Sequence, residues 1–301
     1  MTDEDRNAAS LSDHVKGVIQ RLLPHTLLTA IMYHATRVRW RPWKNWQIRW
    51  FIGRYGVDVS QASNTDPESY EHFNAFFTRS LRAGSRPLAG GAETVQCPAD
   101  GAISAIGDIH AGRLLQAKGR DYSLHALLGG DHGRTAAFQG GRFVTLYLSP
   151  RDYHRVHMPV DGRLREMTYI PGRLFSVNFS TARVIADLFT RNERLVCMFD
   201  TDHGPMALIL VGAMLVSGLQ TVWSGPVSPP HGQAMRTWRY DNETAVQLSR
   251  GEEMGRFNAG STVILLFPGK RVRWLDTLQV GAGVQMGEGL ARLLSGSAAE
   301  G

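Results

Sequence analysis

Three short stretches of the 301-residue chain concentrate side chains able to do chemistry. The first is Cys97-Pro98-Ala99-Asp100-Gly101, a carboxylate in a Pro/Gly turn ahead of an apolar run. Taken alone, such an aspartate reads as an ordinary turn former. The second runs from Tyr147 to Pro159 and holds Asp152, His154 and His157. Histidines at this spacing can be acid–base groups or metal ligands. In an extended segment, residues three apart point to opposite faces, and no third ligand follows at a supporting distance. No metal is expected. The third stretch, Gly251–Ile264, carries Gly260-Ser261 at the mouth of an apolar run. It reads either as a turn entering a buried strand or as a site of backbone self-cleavage. In the second case the Ser261 hydroxyl attacks the Gly260 carbonyl, which has no Cβ to shield it, once a base takes the hydroxyl proton. The residues alone leave these two readings open.

The elements that must position these groups are of two kinds. Residues 12–56 read as largely helical, with Val15, Val18 and Leu22, then Leu27, Leu28 and Ile31, at helical spacing. Pro42 suits the first turn of a helix running to about Tyr55. On it Trp43, Trp46 and Trp50 share a face, Trp40 lies just before, and Arg39, Arg41, Lys44 and Arg49 are interleaved. Residues 11–60 hold eight Lys and Arg against Asp13 and Asp58, a net charge equal to the +6 of the whole chain. Tryptophan beside cationic charge predicts an in-plane contact with an anionic membrane surface; packing of the Trp face on the protein's own core is the alternative. Helices are also predicted near residues 73–82, 124–128 and 180–191. From about residue 93 onward, short apolar runs at 102–106, 142–148, 195–199, 206–216 and 262–267 alternate with Gly- and Pro-rich turns, which predicts a mostly antiparallel β core. The class expected is α+β: a helical membrane-associating segment over 1–60 and a catalytic β-rich domain over 61–301.

Composition excludes several classes. With 43% hydrophobic and 20% charged residues the chain is neither disordered nor fibrous. Two cysteines, Cys97 and Cys197, cannot form a disulfide framework, so a reducing compartment is the simplest reading. The basic charge is confined to one segment, which argues against a nucleic-acid groove. No secretory signal is evident. The uncharged run Gly204–Pro230 is interrupted by Gly, Ser, Gln and Pro and predicts a buried strand pair rather than a membrane span.

Taken together, "PADG" (98–101), "YLSPRDYHRVHMP" (147–159), "GRLFSVN" (172–178) and "GEEMGRFNAGST" (251–262) resemble the phosphatidylserine decarboxylases of the bacterial, membrane-associated type. "FNAFFTRSLR" near Phe73 and "QAKGRDYSLHALL" at 116–128 support the resemblance, which runs in order from about residue 10 to 275. It implies autocatalytic serinolysis between Gly260 and Ser261, giving a β chain of residues 1–260 and an α chain of 261–301. Ser261 would become a covalent pyruvoyl group, the only cofactor, with no pyridoxal phosphate. Phosphatidylserine would be decarboxylated to phosphatidylethanolamine through a Schiff base to that group. The family's Asp-His-Ser arrangement for cleavage falls on Asp100, His157 and Ser261, with Asp100 holding the tautomer of His157. His154 would position the substrate or donate a proton, and Asp152 would play a supporting part. Both histidines are expected near their ordinary pKa. The two chains would stay associated, with a homodimer left open, on phosphatidylserine-bearing anionic bilayers at the cytoplasmic face of a bacterial inner membrane. Ala259 departs from the leucine usual in the family's Leu-Gly-Ser-Thr motif, which bears on the rate of processing.

Three other readings keep a place. One is a pyruvoyl-dependent decarboxylase of another amino-acid substrate. A second is a serine hydrolase using Asp100, His157 and Ser261, although no Gly-x-Ser-x-Gly elbow surrounds Ser261. The third is a membrane-binding scaffold without catalysis.

Overall fold

The computed structural model describes residues 18, 20, 24–117, 119–213, 218–228, 232–241, 243–258, 261–269 and 271–294. Ala259, Gly260, residues 214–217 and most of the first 23 residues, on which several expectations fall, lie outside the described residues. The class is α+β as expected, with an N-terminal helical layer beside an antiparallel sheet core.

Nine strands carry the description that follows: β1 (Gly101–Asp108), β2 (Arg142–Leu148), β3 (Arg155–His157), β4 (Gly162–Ile170), β5 (Arg194–Thr201), β6 (Gly204–Val211), β7 (Leu219–Thr221), β8 (Glu253–Phe257) and β9 (Ser261–Phe267). Across the large sheet the order is Arg236–Arg239, β4, β5, β6, β9, β2, β1 and Gly283–Val284. The central strand is β9. It pairs with β2 from Ser261 opposite Leu148 to Phe267 opposite Arg142, and with β6 from Thr262 opposite Val211 to Leu266 opposite Ala207. Side chains alternate faces along a strand, and here both faces are covered. Val263, Leu265 and Phe267 enter one core with Leu146 and Leu208, while Ile264 and Leu266 enter a second with Phe143, Ile209 and Phe189. Two covered faces require an apolar residue at every position, which is why β6 and β9 read as continuous apolar runs rather than alternating ones.

A smaller sheet runs in the order Gly225–Ser228, β7, β8, β3. The strand pair expected within Gly204–Pro230 is therefore split: β6 joins the large sheet, while β7 pairs with Gly225–Ser228 and β8. Cys97 and Cys197 are both free and buried in one core.

The helical layer comprises α1 (His25–Ala35), α2 (Arg41–Tyr55) and α3 (Phe73–Phe77). Pro42 sits in the first turn of α2, and Gly56 ends it at a positive φ of 64°, its N–H bonding to the Ile52 carbonyl. Ile48 and Phe51 bury one face of α2 against Phe76 and Phe77 of α3. The other face is open: Trp40, Trp46 and Trp50 are 68%, 56% and 53% exposed, and Trp43 stacks on Trp46 at 5.3 Å. Trp46 and Trp50 thus do not form the packing face of the helix, while the half-buried Trp43 donates its indole N–H to the Ala35 carbonyl of α1. The helical layer also extends past residue 60, since α3 belongs to its core. Among the described residues no helix is long and apolar enough to cross a membrane.

Two predicted helices come out shorter. The one expected over 73–82 stops at Phe77, where Thr78 N and Oγ1 both bond to the Asn74 carbonyl. The one expected over 180–191 breaks into Phe179–Val184 and Leu188–Arg191, with Asp187 at a φ of 54°. The buried Gln116 side chain takes up the backbone groups freed by the break. Its amide donates to the Ala182 and Ile185 carbonyls and its oxygen accepts from Leu188 N–H.

Asn192, fully buried, joins three segments by donating to the Phe175 and Gly212 carbonyls and accepting from Phe175 N–H. Asn192→Ala leaves those backbone groups buried without partners, at about 1–3 kcal/mol for each such group. Urea unfolding of this variant should show a loss of about 3 kcal/mol or more; a loss under about 1 kcal/mol would mean that water or relaxation replaces the amide.

Candidate active site

Asp100 sits in the turn that enters β1. Gly101 is required there, because a Cβ would lie 2.4 Å from the Tyr147 carbonyl oxygen on the neighbouring strand. The backbones of β1 and β2 therefore run close together and fix where the carboxylate points. Asp100 accepts from Arg86 Nε at 2.9 Å and from Met286 N–H at 2.8 Å, and the Arg86–Asp100 pair is nearly closed to solvent. The hydrogen bond to Asp100 raises the pKa of Arg86.

The histidine stretch is an extended segment entered by a turn. Asp152 closes that turn, accepting from Ser149 N–H at 2.6 Å, and burial raises its pKa against the pull of that bond. Tyr153 and His157 then face one another, with the phenol oxygen 3.0 Å from His157 Nε2. His157 Nδ1 is 2.8 Å from the Gly251 carbonyl. A carbonyl can only accept, so Nδ1 carries the proton and Nε2 presents a lone pair towards the tyrosine hydroxyl. Burial lowers the His157 pKa, leaving the ring neutral near pH 7.

His154 is fully buried and stacked on Phe77, ring centroids 4.1 Å apart. Its Nε2 approaches the Pro150 carbonyl at 3.4 Å and its Nδ1 has no partner among the described residues. Burial, aided by the positive charge of Arg79, pushes its pKa down to about 3. The ordinary pKa expected for both histidines is thus corrected by their desolvation, which disfavours the charged ring.

Ser261 opens β9 with no exposed surface, and its hydroxyl has no hydrogen-bond partner among the described residues. An unpaired buried hydroxyl is costly, and the hydroxyls of Thr262 and Thr145 share that state; of these Ser261 is the one that follows a glycine carbonyl. Gly260, the acyl side of the expected cleavage bond, is outside the described residues. Asn258, just upstream, is buried and accepts from Asn74 Nδ2 at 3.1 Å, which ties this loop to α3.

Asp100 and His157 do not share a hydrogen bond. Arg86 and Met286 N–H take the carboxylate, and the Gly251 carbonyl, rather than Asp100, orients the imidazole. The roles of Arg86, Tyr153, Gly251 and Phe77 are absent from the reading of the residues. Tyr153, Gly251 and Phe77 lie inside the quoted motifs, so adjacency is their only signal, and nothing in the residues points to Arg86.

Two cavities flank the segment from Leu148 to Tyr153. The larger, about 580 Å³, is apolar and lined by α1, α2 and α3 residues, among them Trp43, Trp46, Trp50 and Phe77, and by Leu148, Pro150 and Asn258. The smaller, about 280 Å³, is polar and lined by Arg79, Arg86, Asp100, Arg151, Asp152 and Tyr153, among others.

Comparison with known proteins bears on what this arrangement does. A family model described as phosphatidylserine decarboxylase matches residues 73–292, and a second, described as PSD, matches residues 15–56. A phosphatidylserine decarboxylase proenzyme of Stutzerimonas stutzeri is 52% identical over 285 residues, covering 94% of this chain and 95% of the relative. Proteins of the same description from Pseudomonas putida and Pseudomonas aeruginosa are 52% and 53% identical over 276 and 284 residues, covering 91% and 94% of this chain and 96% and 98% of those relatives. With matches of this depth along nearly its whole length, the chain belongs to the phosphatidylserine decarboxylase family.

Proposed function

We propose that this chain is a proenzyme that cuts its own backbone between Gly260 and Ser261 and then converts phosphatidylserine to phosphatidylethanolamine and carbon dioxide at a membrane surface. The observation that carries this reading is the Ser261 hydroxyl, buried and unpartnered among the described residues at the head of the central strand. In the first step Ser261 Oγ adds to the Gly260 carbonyl, and the C–N bond gives way to an ester. The proton released passes to His157, whose neutral ring offers its Nε2 lone pair. Tyr153 stands on that nitrogen, so the proton moves through the phenol or the phenol swings aside. Asp100 acts through its field, which favours the imidazolium, while Arg86 holds the carboxylate in place. Loss of the Ser261 α-proton then expels the Gly260 carboxylate and leaves a dehydroalanine, whose imine tautomer takes up water and releases ammonia to give the α-keto group.

The residues present fit a covalent pyruvoyl group at that position: a small, fully buried side chain opening a strand that is paired on both edges. Once made, the group supplies the carbonyl that takes the substrate amine and the electron sink for decarboxylation. His154, neutral at physiological pH and locked on Phe77, suits positioning the headgroup through Nδ1 better than delivering a proton. Asp152 serves by shaping the turn before it. After cleavage the smaller chain keeps β9 between β2 and β6, which favours continued association of the two chains.

The apolar cavity suits the acyl and glycerol part of a phospholipid. Its tryptophan wall is also the open face of α2, flanked by Arg39, Arg41 and Arg49, so residues 1–60 serve as a peripheral contact with anionic lipid on the cytoplasmic side of a bacterial inner membrane.

Intact mass spectrometry should find a 41-residue fragment of about 4.5 kDa with a ketone at its blocked N-terminus, absent from Ser261→Ala. One uncut species from the unaltered chain would end the cleavage reading. Because burial lowers the His157 pKa, the neutral base persists below the usual histidine value. The rate of processing should therefore stay level down to about pH 6.5 and fall only in more acid buffer. A decline already centred at pH 7 or above would assign the base elsewhere. Replacing Trp46 and Trp50 by alanine should weaken sedimentation with anionic vesicles by about tenfold or more, leaving processing intact; unchanged sedimentation would remove this face from the membrane contact.

A further inference from the structure

Arg79 is 4% exposed, and its Nε and Nη1 have no hydrogen-bond partner among the described residues. Its Nη2 reaches only the Arg151 carbonyl, at 3.4 Å, and its guanidinium lies 5.3 Å from the centre of the Phe76 ring. No carboxylate among the described residues forms an ion pair with it, although three carboxylates lie nearby and each is engaged. Asp100 is held by Arg86, Asp152 accepts from Ser149 N–H beside Arg151, and Asp58 accepts from Ser60 N–H. A buried cation with idle donors is strongly unfavourable unless something anionic joins it. Arg79 also lines the polar cavity, two residues from the Phe77 ring on which His154 stacks, and its charge is felt at His154.

We propose that Arg79 is the binding residue for the phosphodiester of the lipid headgroup, an anion site in the polar cavity next to the apolar one. This rests on the reading of the chain as a phosphatidylserine decarboxylase. The substrate carries two anions, and the reaction distinguishes them. As the C–C bond breaks, negative charge leaves the carboxylate, so a cation paired there would stabilise the ground state more than the transition state. The phosphodiester keeps its charge throughout, and a cation on it binds substrate and transition state alike. A cavity of about 280 Å³ admits a headgroup, with the acyl chains left to the larger apolar cavity.

The test has a binding arm and a kinetic arm. In the Ser261→Ala chain, which needs neither cleavage nor turnover, glycerophosphoethanolamine should raise the melting temperature and ethanolamine should not. Inorganic phosphate at equal concentration tells whether the anion alone suffices. Adding Arg79→Met should abolish the shift, and without ligand this variant should melt no lower than its parent, since an unpaired buried charge has been removed. In the processed enzyme, assayed on phosphatidylserine in mixed micelles, Arg79→Lys and Arg79→Met should raise KM by about 10- to 100-fold with little change in kcat. Equal melting shifts with and without Arg79, or an effect confined to kcat, would overturn the proposal. A marked fall in the unliganded melting temperature would make Arg79 a structural residue. Failure of cleavage in the unaltered chain would sink the decarboxylase reading but leave the binding arm intact.

Discussion

The structure depends on the burial of β9 from both sides and both faces. This strand is paired with β2 along its whole length and with β6 from Thr262 to Leu266, and a core above and below keeps its side chains out of water. Each large apolar side chain on it contributes about 1.5–3 kcal/mol relative to exposure, and the position of the strand is correspondingly rigid. Ser261 inherits that rigidity as the first residue of the strand. Under the proposed chemistry, the bond to be cut thus lies at the junction between a fixed strand and the loop that follows β8. The same burial explains how the molecule could be cut there without coming apart, because sheet pairing rather than chain continuity holds β9 in place.

Around this strand, burial also sets the electrostatics. His154 and His157 sit where a charged ring is poorly solvated, so both are neutral under ordinary conditions. Their environments differ in what the ring nitrogens meet. A carbonyl on one nitrogen of His157 and a phenol on the other define a tautomer and a path for a proton. His154, closed off by Phe77, has one idle lone pair and no charged partner within hydrogen-bonding reach. The acid near them is paired with its own arginine and biases His157 through its field without direct contact.

The two cavities divide as an amphiphile divides. The segment from Leu148 to Tyr153 separates them, offering Leu148 and Pro150 to the apolar side and Arg151, Asp152 and Tyr153 to the polar side. The helical layer completes the apolar cavity, and its outer tryptophans remain open to whatever surface the molecule meets. In the proposed function, membrane contact and substrate entry are therefore properties of the same helix.

Much of this was legible in the residues. The Pro42 start of α2, the antiparallel β core and the strand at 262–267 follow from local rules of helix entry, apolar runs and turn composition, which depend only on near neighbours. The motifs around Asp100, His154, His157 and Ser261 were legible as motifs. Contacts between segments distant in the chain were not. Nothing near Asp100 indicates that Arg86 and the Met286 amide would occupy it, nor does Gly251 reveal that its carbonyl orients His157. The helix expected over 180–191 looks continuous until Gln116, more than sixty residues earlier, supplies the hydrogen bonds that make a break tolerable. Likewise Trp46 and Trp50 could have faced inward; they are exposed because Ile48 and Phe51, on the other side of α2, find α3. Sequence by itself determined which residue types were present and which local elements they favour. Tertiary structure decided their partners and their protonation, because hydrogen bonding and desolvation depend on what the rest of the chain brings within a few ångströms.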